Sequence, residues 1–213
     1  MLGKLKEAKR LRAEAQAATQ SILSAELHKI FEEGEKKGWD EKTLGDVFVF
    51  NYGKGLPRLE RSESGKYIVY GANGELGKSN KYLVKGDGII VGRKGSAGEV
   101  TKVTGNYWPT DVTYFITEDK KYDVGFAYHL FKFLNLPQYA AGVKPGINRN
   151  QIYSIKILLP FLSEQKKIVA QLDSLSKKIR QLQEYQKSTA SDLVALEQSI
   201  LHKAFSGVIK LRN

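Results

Sequence analysis

Two acidic residues and a lysine near the middle of the chain come nearest to a catalytic set. Asp111, Glu118 and Lys120 resemble the two carboxylates and the lysine of metal-dependent nucleases, in which both acids must converge on one cation. Asp111 and Glu118 are seven residues apart, so on one regular strand they would face opposite sides. A metal-dependent nuclease or DNA-modifying enzyme acting on its own is therefore only an alternative function.

The other residue types that carry chemistry are absent or badly spaced. The chain has no cysteine, which excludes a disulfide framework, a thiolate nucleophile and a cysteine-based zinc site. Its three histidines are far apart in sequence, with no ligand partner at metal spacing. The run from Gly92 to Gly98 lacks the spacing of a nucleotide-binding loop and no helix follows it. We expect a non-catalytic chain with no cofactor and no metal.

Hydrogen-bond donors are instead collected on glycine-rich loops. Arginine and lysine pair with guanine O6 and N7, and asparagine pairs with adenine N6 and N7, so such loops suit major-groove recognition with nearby phosphate contacts. The predicted DNA-binding set is Lys54, Arg58, Arg61, Asn73, Lys78, Arg93, Lys94, Ser96, Lys144, Asn148, Arg149 and Asn150. Its highest-ranked members are Arg93, Lys94, Asn148 and Arg149. For Asn148 and Arg149, capping the turn before the last strand is the alternative role.

The net charge indicates a polyanionic partner. The 213 residues include 34 Lys and Arg against 23 Asp and Glu, a formal charge of +11. Nucleic acid is the first candidate, ahead of an anionic membrane surface, and solubility alone is the alternative. No apolar run approaches the roughly 20 residues of a membrane span, and the amino terminus lacks the apolar stretch of a signal peptide. We expect a cytoplasmic protein that binds double-stranded DNA.

Short β-rich runs broken by glycine predict the domain that positions these loops. We expect residues 36–162 to form one globular domain, with strands at 47–50, 67–70, 88–91, 99–103, 112–116 and 155–159. Residues 92–98 are interpreted as a hairpin loop whose glycines permit positive φ. A helix over about 124–134 completes an α+β domain. Five tyrosines are interleaved with the basic loops, and we expect most of them in the core: Tyr52, Tyr67, Tyr70, Tyr82 and Tyr107.

The two ends of the chain resemble each other and predict helical arms around this domain. Residues 20–23 and 198–201 share the sequence Gln-Ser-Ile-Leu. In residues 163–213, which Ser163 is expected to cap and Gly207 to end, apolar side chains recur at three- and four-residue steps, as in a coiled coil. This seam contains Leu172, Leu175, Ile179, Leu182, Leu193, Leu196 and Ile200. Gln186 and Thr189 fall on it, where polar groups fix register.

The amino-terminal arm, residues 1–35, carries a seam of mostly small side chains. Its members are Ala8, Leu11, Ala15, Ala18 and Ile22. Alanine buries little area, so this helix must pack on the leucine and isoleucine seam of the other arm, from the same chain or a second one. We expect the arms to form a coiled coil, to make a homodimer and to space two globular domains. A coiled-coil assembly protein whose charge only aids solubility is a further alternative.

Several segments, taken in order, resemble a known family. They are Tyr-Gly-Ala-Asn-Gly at 70–74, Ile-Ile-Val-Gly-Arg-Lys-Gly-Ser-Ala-Gly at 89–98, Trp-Pro-Thr-Asp at 108–111, Gly-Ile-Asn-Arg at 146–149, and Leu-Pro-Phe-Leu-Ser-Glu-Gln at 159–165. With Ile168 and Val169, they resemble the target recognition domain and the following helix of specificity (S) subunits from type I restriction-modification systems. Such subunits usually carry two recognition domains, so this chain resembles a half-length form.

The resemblance implies a DNA-recognition subunit without catalysis of its own. Such a subunit binds a bipartite DNA target, while methyltransferase (M) subunits and a restriction (R) subunit modify or cut. The helices of that family set the spacing between half-sites and dock the methyltransferase subunits. Recognition domains differ in the bases they read, so the resemblance assigns no base contact to a residue of this chain.

Overall fold

The structure contains two compact units joined through long helices. It is a computed structural model that describes residues 2–206. The helical unit combines Met1–Glu26 with Gln171–Asn213, and the globular unit is Leu27–Ala170. The long helices α1 (Leu2–Glu32) and α5 (Leu162–Phe205) each contribute to both units. In the sequence they flank a β-rich middle, which confirms the predicted α+β fold class.

Three sheets form the β structure of the globular unit. The largest has four antiparallel strands in the order β2 (Asn51–Tyr52), β8 (Thr113–Thr117), β5 (Gly88–Gly92) and β6 (Val100–Val103). The second places β3 (Tyr67–Gly71) between antiparallel β4 (Gly74–Ser79) and parallel β7 (Tyr107–Pro109). The third pairs β1 (Asp40–Thr43) with β9 (Lys156–Leu159), antiparallel.

Three shorter α-helices complete the globular unit: α2 (Leu44–Val47), α3 (Val124–Phe133) and α4 (Arg149–Tyr153). Single 3-10 turns form at Arg58–Glu60 and Leu136–Tyr139. Helix α3 begins where the Asp123 carboxylate accepts from the N–H groups of Gly125 and Phe126. Among the described helices, none combines the length and apolarity that crossing a bilayer requires.

An aromatic core holds the four-stranded sheet in place. Phe48, Phe50 and Phe131 are all completely buried. The Phe131 ring centroid lies 5.0 Å from that of Phe48 and 5.4 Å from that of Phe50. Every residue of β5 is buried as well. Because tightly packed interiors do not deform continuously, the ends of β2 and β5 are fixed points from which side chains can be presented.

Five of the six predicted strands lie where the structure has β3, β5, β6, β8 and β9. The predicted hairpin is confirmed by the antiparallel pairing of Val91 with Val100, and the helix over 124–134 ends at Phe133. The predicted strand at 47–50 is wrong. Thr43 and Asp46 form a reciprocal cap that starts helix α2 instead, and residues 48–50 follow it without pairing as a strand.

The helical unit is an antiparallel pair of helices within one chain. The Lys9 ammonium lies 2.6 Å from the Glu197 carboxylate, and the Gln171 side chain donates to Glu26 at 2.7 Å. Between these ends, Gln186 Nε2 donates to the Thr19 hydroxyl at 2.9 Å. The polar position predicted in the seam therefore contacts the partner helix and ties its register.

The predicted cap of the carboxy-terminal helix is wrong, and within one chain α1 contacts α5 through a face other than its predicted seam. Helix α5 begins at Leu162, so Ser163 lies inside it, and Gly207 lies outside the described residues. Within the chain, α1 turns Thr19 toward α5, with 3% of its surface exposed. The predicted seam lies to one side: Ala8 is half-buried, whereas Leu11, Ala15, Ala18 and Ile22 are exposed. Hydrophobic periodicity missed this face because its central contact is a Gln–Thr hydrogen bond.

The predicted seam of α5 is partly buried. Leu172 is fully buried, and Leu175, Ile179, Leu193 and Ile200 are half-buried. Leu182 and Leu196 are 41% and 51% exposed. The apolar pattern of α5 is therefore wider than the stripe that α1 covers, and its uncovered part stays a predicted interface with a second molecule.

Candidate nucleic-acid interface

Two arginines from distant parts of the sequence converge on one tyrosine. Arg93 follows β5, and Arg149 is the first residue of α4. Their guanidinium carbons lie 5.4 and 4.9 Å from the ring centroid of Tyr52 in β2. The Tyr52 side chain remains 52% exposed. These three residues, here called the arginine–tyrosine cluster, place two cationic donors and an aromatic face on one accessible surface.

Backbone carbonyls anchor both guanidinium groups. Arg93 donates from Nε and Nη2 to the carbonyl oxygen of Asp111 at 3.2 and 2.8 Å. Arg149 donates from Nη1 to the carbonyl oxygen of Phe50 at 3.2 Å. A guanidinium carries five N–H donors, so these bonds orient each group and leave further donors for a ligand. The anchors supply the preorganisation that recognition of a base edge requires.

Arg149 is partly embedded in the surface. Its Nε is buried and has no hydrogen-bond partner among the described residues, as is also the case for Trp39 Nε1 and the Tyr107 hydroxyl. Its Nη1 bonds to the Phe50 carbonyl, and its guanidinium also lies 5.7 Å from the ring centroid of Tyr153. These contacts hold the side chain against the sheet and α4.

The loop that carries Arg93 and the loop that leads to Arg149 are bonded side by side. Gly95 N–H donates to the Pro145 carbonyl at 3.0 Å, and Ile147 N–H donates to the Arg93 carbonyl at 3.0 Å. Lys94 and Gly146 pair as an isolated bridge. The structure therefore brings two predicted segments into one surface, on which Lys94, Lys144, Asn148 and Asn150 are exposed and Ser96 is half-buried.

Tyr114 links this surface to the sheet beneath it. Its hydroxyl donates to the carbonyl of Ile147 at 3.1 Å, and its ring centroid lies 5.1 Å from that of Tyr52. Burial, with a smaller contribution from the neighbouring Tyr52, raises the pKa of Tyr114, so the phenol keeps the proton that it donates. The loop before Asn148 is thus fixed to β8.

Glycine is required where the Arg93 loop closes. A Cβ at Gly92 would lie 2.0 Å from the Ser96 carbonyl oxygen and 2.9 Å from that of Ala72. Gly95 and Gly98 have φ of 80° and 86°, as the sequence predicted for a glycine-rich hairpin. The loop geometry that presents Arg93 therefore depends on glycine rather than on interchangeable small residues.

Two further predicted residues border the cluster through their backbones. The Trp108 indole donates to the Lys54 carbonyl at 2.7 Å, next to the Thr110–Asp111 segment that anchors Arg93. Asn73 follows Ala72, whose carbonyl approaches Gly92. Lys54 and Asn73 are both exposed. Each therefore presents a polar side chain near the same surface.

The remaining three predicted residues form a second group on other loops. Arg61 donates from Nε and Nη2 to the Leu56 carbonyl at 3.1 and 2.7 Å. Lys78, in β4, bonds through its backbone to Ser62, and Arg58 and Arg61 line one shallow cavity with Gly77. DNA contact by Arg58, Arg61 and Lys78 stays a prediction.

The capping role holds for Asn148 and not for Arg149. The Asn148 side-chain oxygen accepts from Asn150 N–H at 2.9 Å and caps α4, while its side chain stays exposed. Arg149 instead reaches Phe50. Capping uses one oxygen of Asn148 and leaves a contact of its amide with DNA as a prediction.

The alternative catalytic set does not assemble. Asp111 precedes β8, whereas Glu118 and Lys120 follow it and line a cavity of about 560 Å³ at the other end of the strand. The ends of a five-residue strand lie about 13 Å apart at 3.3 Å per residue. No group of three His, Asp or Glu side chains that could hold a metal occurs in the described part of the chain. The two acids cannot share one cation.

The sequence did not identify Tyr52 as a surface residue of the candidate site. Tyr70 and Tyr107 are buried as expected, but Tyr52 and Tyr82 are 52% and 43% exposed. Tyr52 lies in a two-residue strand at the sheet edge, and only the fold brings Arg93 and Arg149 to its ring. A tyrosine next to the glycine-rich Gly53-Lys54-Gly55 segment was the one available signal.

The family model for the type I restriction modification DNA specificity domain matches residues 36–189. The chain belongs to this family. The Escherichia coli type I restriction enzyme EcoprrI specificity subunit is 28% identical over 149 residues, covering 67% of this chain and 37% of that protein. A putative type I restriction enzyme specificity subunit of Haemophilus influenzae, S.HindORF215P, is 25% identical over 150 residues, covering 68% and 38%.

Solved structures share the fold. The HsdS subunit from Thermoanaerobacter tengcongensis matches with a TM-score of 0.69 and 22% identity, covering 97% of this chain and 56% of that one. A chain from a study of complex assembly and conformational transition of the type I R-M system matches with a TM-score of 0.82 and 22% identity, covering 96% and 56%. The chain thus spans about two fifths of the curated relatives and about half of the solved chains.

Proposed function

We propose that this chain is a DNA-specificity subunit of a type I restriction-modification complex, with no catalytic activity of its own. The observation that carries the proposal is the arginine–tyrosine cluster, in which Arg93 and Arg149 are oriented from different elements onto Tyr52. Membership of the specificity family supports it, as do the names of the relatives. Methyltransferase and restriction subunits follow from the same membership as proposed partners, and the cytoplasm as the proposed location.

The geometry supports a division of work between base and phosphate contacts. Arg93 and Arg149 are anchored by carbonyls, so their positions are defined well enough to select a base pair through O6 and N7 of guanine. Lys54, Lys94 and Lys144 have exposed side chains on neighbouring loops. Flexible ammonium groups of this kind suit phosphates, which hold the register of the protein without carrying sequence information.

Selection from a pool of random DNA duplexes tests the proposal. We expect the full chain to enrich one short sequence. Arg93→Ala or Arg149→Ala should each lower affinity for it by about 1–3 kcal/mol and relax the preference at one base pair, as for a lost bidentate contact. Arg180→Ala, an exposed arginine of α5, is the matched control and should leave the preference unchanged.

Other outcomes of this experiment assign the residues differently. An equal loss of affinity on every sequence would make the arginine a phosphate contact. No loss for either variant would remove the cluster from the interface. Failure of the wild-type chain to enrich any sequence, over a range of salt concentrations, would contradict the function itself.

We further propose that two chains associate through the exposed side of the helical unit. Exposed apolar side chains form a stripe on each helix: Leu11, Ala15, Ala18 and Ile22 in α1, and Leu182, Tyr185 and Leu196 in α5. Val194 and Leu201 of α5 are also exposed and lie on another side of the helix. At 100° per residue, each stripe is rotated from its intrachain contact face by roughly 80–90° in the same sense. Because the helices are antiparallel, equal rotations bring both stripes to one side of the pair.

A second copy is the occupant that this side fits. Two such pairs facing each other would bury the side chains of both stripes in a four-helix arrangement. A two-fold dimer presents the same recognition surface to each DNA half-site in opposite orientation. The preferred target is then an interrupted palindrome, with a gap set by the helical spacer.

A further inference from the structure

An aliphatic side chain stands fully exposed beside the arginine–tyrosine cluster. Val143 is 104% exposed, at the tip of a tight loop. Lys144 and Pro145, which follow it, are exposed too, as is Ala141 at the base of the loop. Lys94, exposed on the adjacent loop, lies next to it through the Lys94–Gly146 bridge. Val143 is thus an exposed aliphatic side chain on a surface that also carries Lys94 and Lys144.

The loop that carries Val143 is held from both sides. Ala141 and Gly146 exchange two backbone hydrogen bonds, each 3.0 Å long, which close the loop at its base. Pro145 accepts from Gly95 at 3.0 Å, which ties the tip to the Arg93 loop. Gly142 has a φ of 93° and makes the turn possible. As a β-branched residue, Val143 also has a restricted χ1, so its side chain loses little conformational freedom on contact with a ligand.

Single exposed apolar residues are common on protein surfaces and by themselves indicate nothing. Val143 differs because its loop is braced against a predicted base-reading arginine, on a surface whose charge draws in DNA. In the major groove, the C5 methyl group of thymine is the one apolar feature that a protein can select.

We propose that Val143 is a specificity-determining residue that contacts the 5-methyl group of a thymine, next to the base pair contacted by Arg93. This inference rests on the proposed function and adds to it one element of the target. A short branched side chain suits this contact, whereas wedges that separate stacked bases in the minor groove are usually larger.

The test removes the thymine methyl group and the two γ-methyl groups of Val143 in turn. After the preferred sequence has been selected with the full chain, each of its thymines is replaced singly by deoxyuridine, which lacks only the methyl group. For the wild-type chain we expect one replacement to weaken binding about fourfold, the value of one buried methyl-sized group. For Val143→Ala, binding to the thymine duplex should fall by a similar factor, and that replacement should have no further effect.

Leu59→Ala is the matched control. Leu59 is 100% exposed and aliphatic, and it follows Arg58 on a different loop. The Leu59→Ala protein should therefore retain the full sensitivity of its DNA binding to deoxyuridine. The assignment is overturned if every replacement has the same effect on wild type and Val143→Ala, or if no thymine matters. If no sequence is enriched, the proposed function fails first. If a sequence is enriched but the effects of deoxyuridine and of Val143→Ala are independent, only the methyl contact is refuted.

Discussion

The two units of this protein differ in how completely they bury their apolar side chains. The globular unit buries a complete aromatic core, in which Phe48, Phe50 and Phe131 are inaccessible to solvent. The helical unit buries little more than one stripe of each helix and leaves leucines exposed along a second one. The first can hold a surface rigid without help. We propose that a second copy of the chain covers the exposed stripe of the helical unit, so that recognition lies in one unit and assembly in the other.

Polar contacts position the elements of both units. In the globular unit, Arg93, Arg149 and Tyr114 bond to backbone carbonyls, which fixes loops to the sheet. In the helical unit, Lys9–Glu197 and Gln186–Thr19 join side chains of the two helices. Gln186 also donates to the Ala15 carbonyl, and Arg12 donates to the Gln186 carbonyl. These contacts between the helices set their register.

The largest effect should come from opening the globular core. Phe131→Ala removes a completely buried ring and should lower the free energy of unfolding of this unit by about 3–5 kcal/mol. Denaturant titration followed by tryptophan fluorescence measures it, since Trp39 and Trp108 both lie in this unit. Leu196→Ala, at a position that is 51% exposed, is the contrast and should change this transition by less than about 0.5 kcal/mol. Equal effects would remove the distinction between the two units.

The next effect concerns the exposed stripes of the helical unit. Leu11→Asp with Leu182→Asp places carboxylates where a second copy should pack, at a desolvation cost on the order of several kcal/mol. Both leucines are exposed in the single chain, so the globular unit should unfold as before. Analytical ultracentrifugation should show wild-type dimers and variant monomers.

Ser191→Asp supplies the control for this variant, because it adds a carboxylate at an exposed position on another side of α5. It should remain dimeric. A wild-type chain that stays monomeric at tens of micromolar would refute the dimer, and so would a dimeric double variant.

The smallest effect should come from the exposed ion pair at the end of the helical unit. Lys9 and Glu197 are 47% and 33% exposed at the side chain, so water and salt screen their attraction. Lys9→Ala should cost no more than about 0.5 kcal/mol of stability, and less at high salt. Thermal melting monitored by circular dichroism at two salt concentrations measures it. A larger, salt-independent loss would mean that this contact organises the helix pair.

The sequence predicted the strands that have a strong local pattern and missed those that depend on partners. Apolar runs such as Gly88 to Val91 were recognisable, since their burial shows in composition. Strand β4, Gly-Glu-Leu-Gly-Lys-Ser, carries little β propensity and exists because β3 pairs with it. The apolar run at 47–50 misled because a cap at Thr43 started a helix first.

The candidate site was predictable as a set of donors and not as an arrangement. Glycine-rich loops with arginine and lysine predicted the segments of the candidate site, and the fold brings Arg93 and Arg149 together. That both meet at Tyr52 depends on the packing of β2 beside β8, which no local pattern encodes. The contact face of α1 was hidden for a related reason, because a buried threonine paired with glutamine has no hydrophobic signature.

The most direct test of this division of labour compares two DNA duplexes, one with the full interrupted palindrome and one with a single half-site. Wild-type protein should bind the full site far more tightly than the half-site. Arg149→Ala should weaken binding to both. Leu11→Asp with Leu182→Asp should lose only the advantage of the full site and bind the half-site as wild type does. If the helix variant also loses the half-site, or if Arg149→Ala affects the full site alone, then recognition and assembly do not reside in separate units.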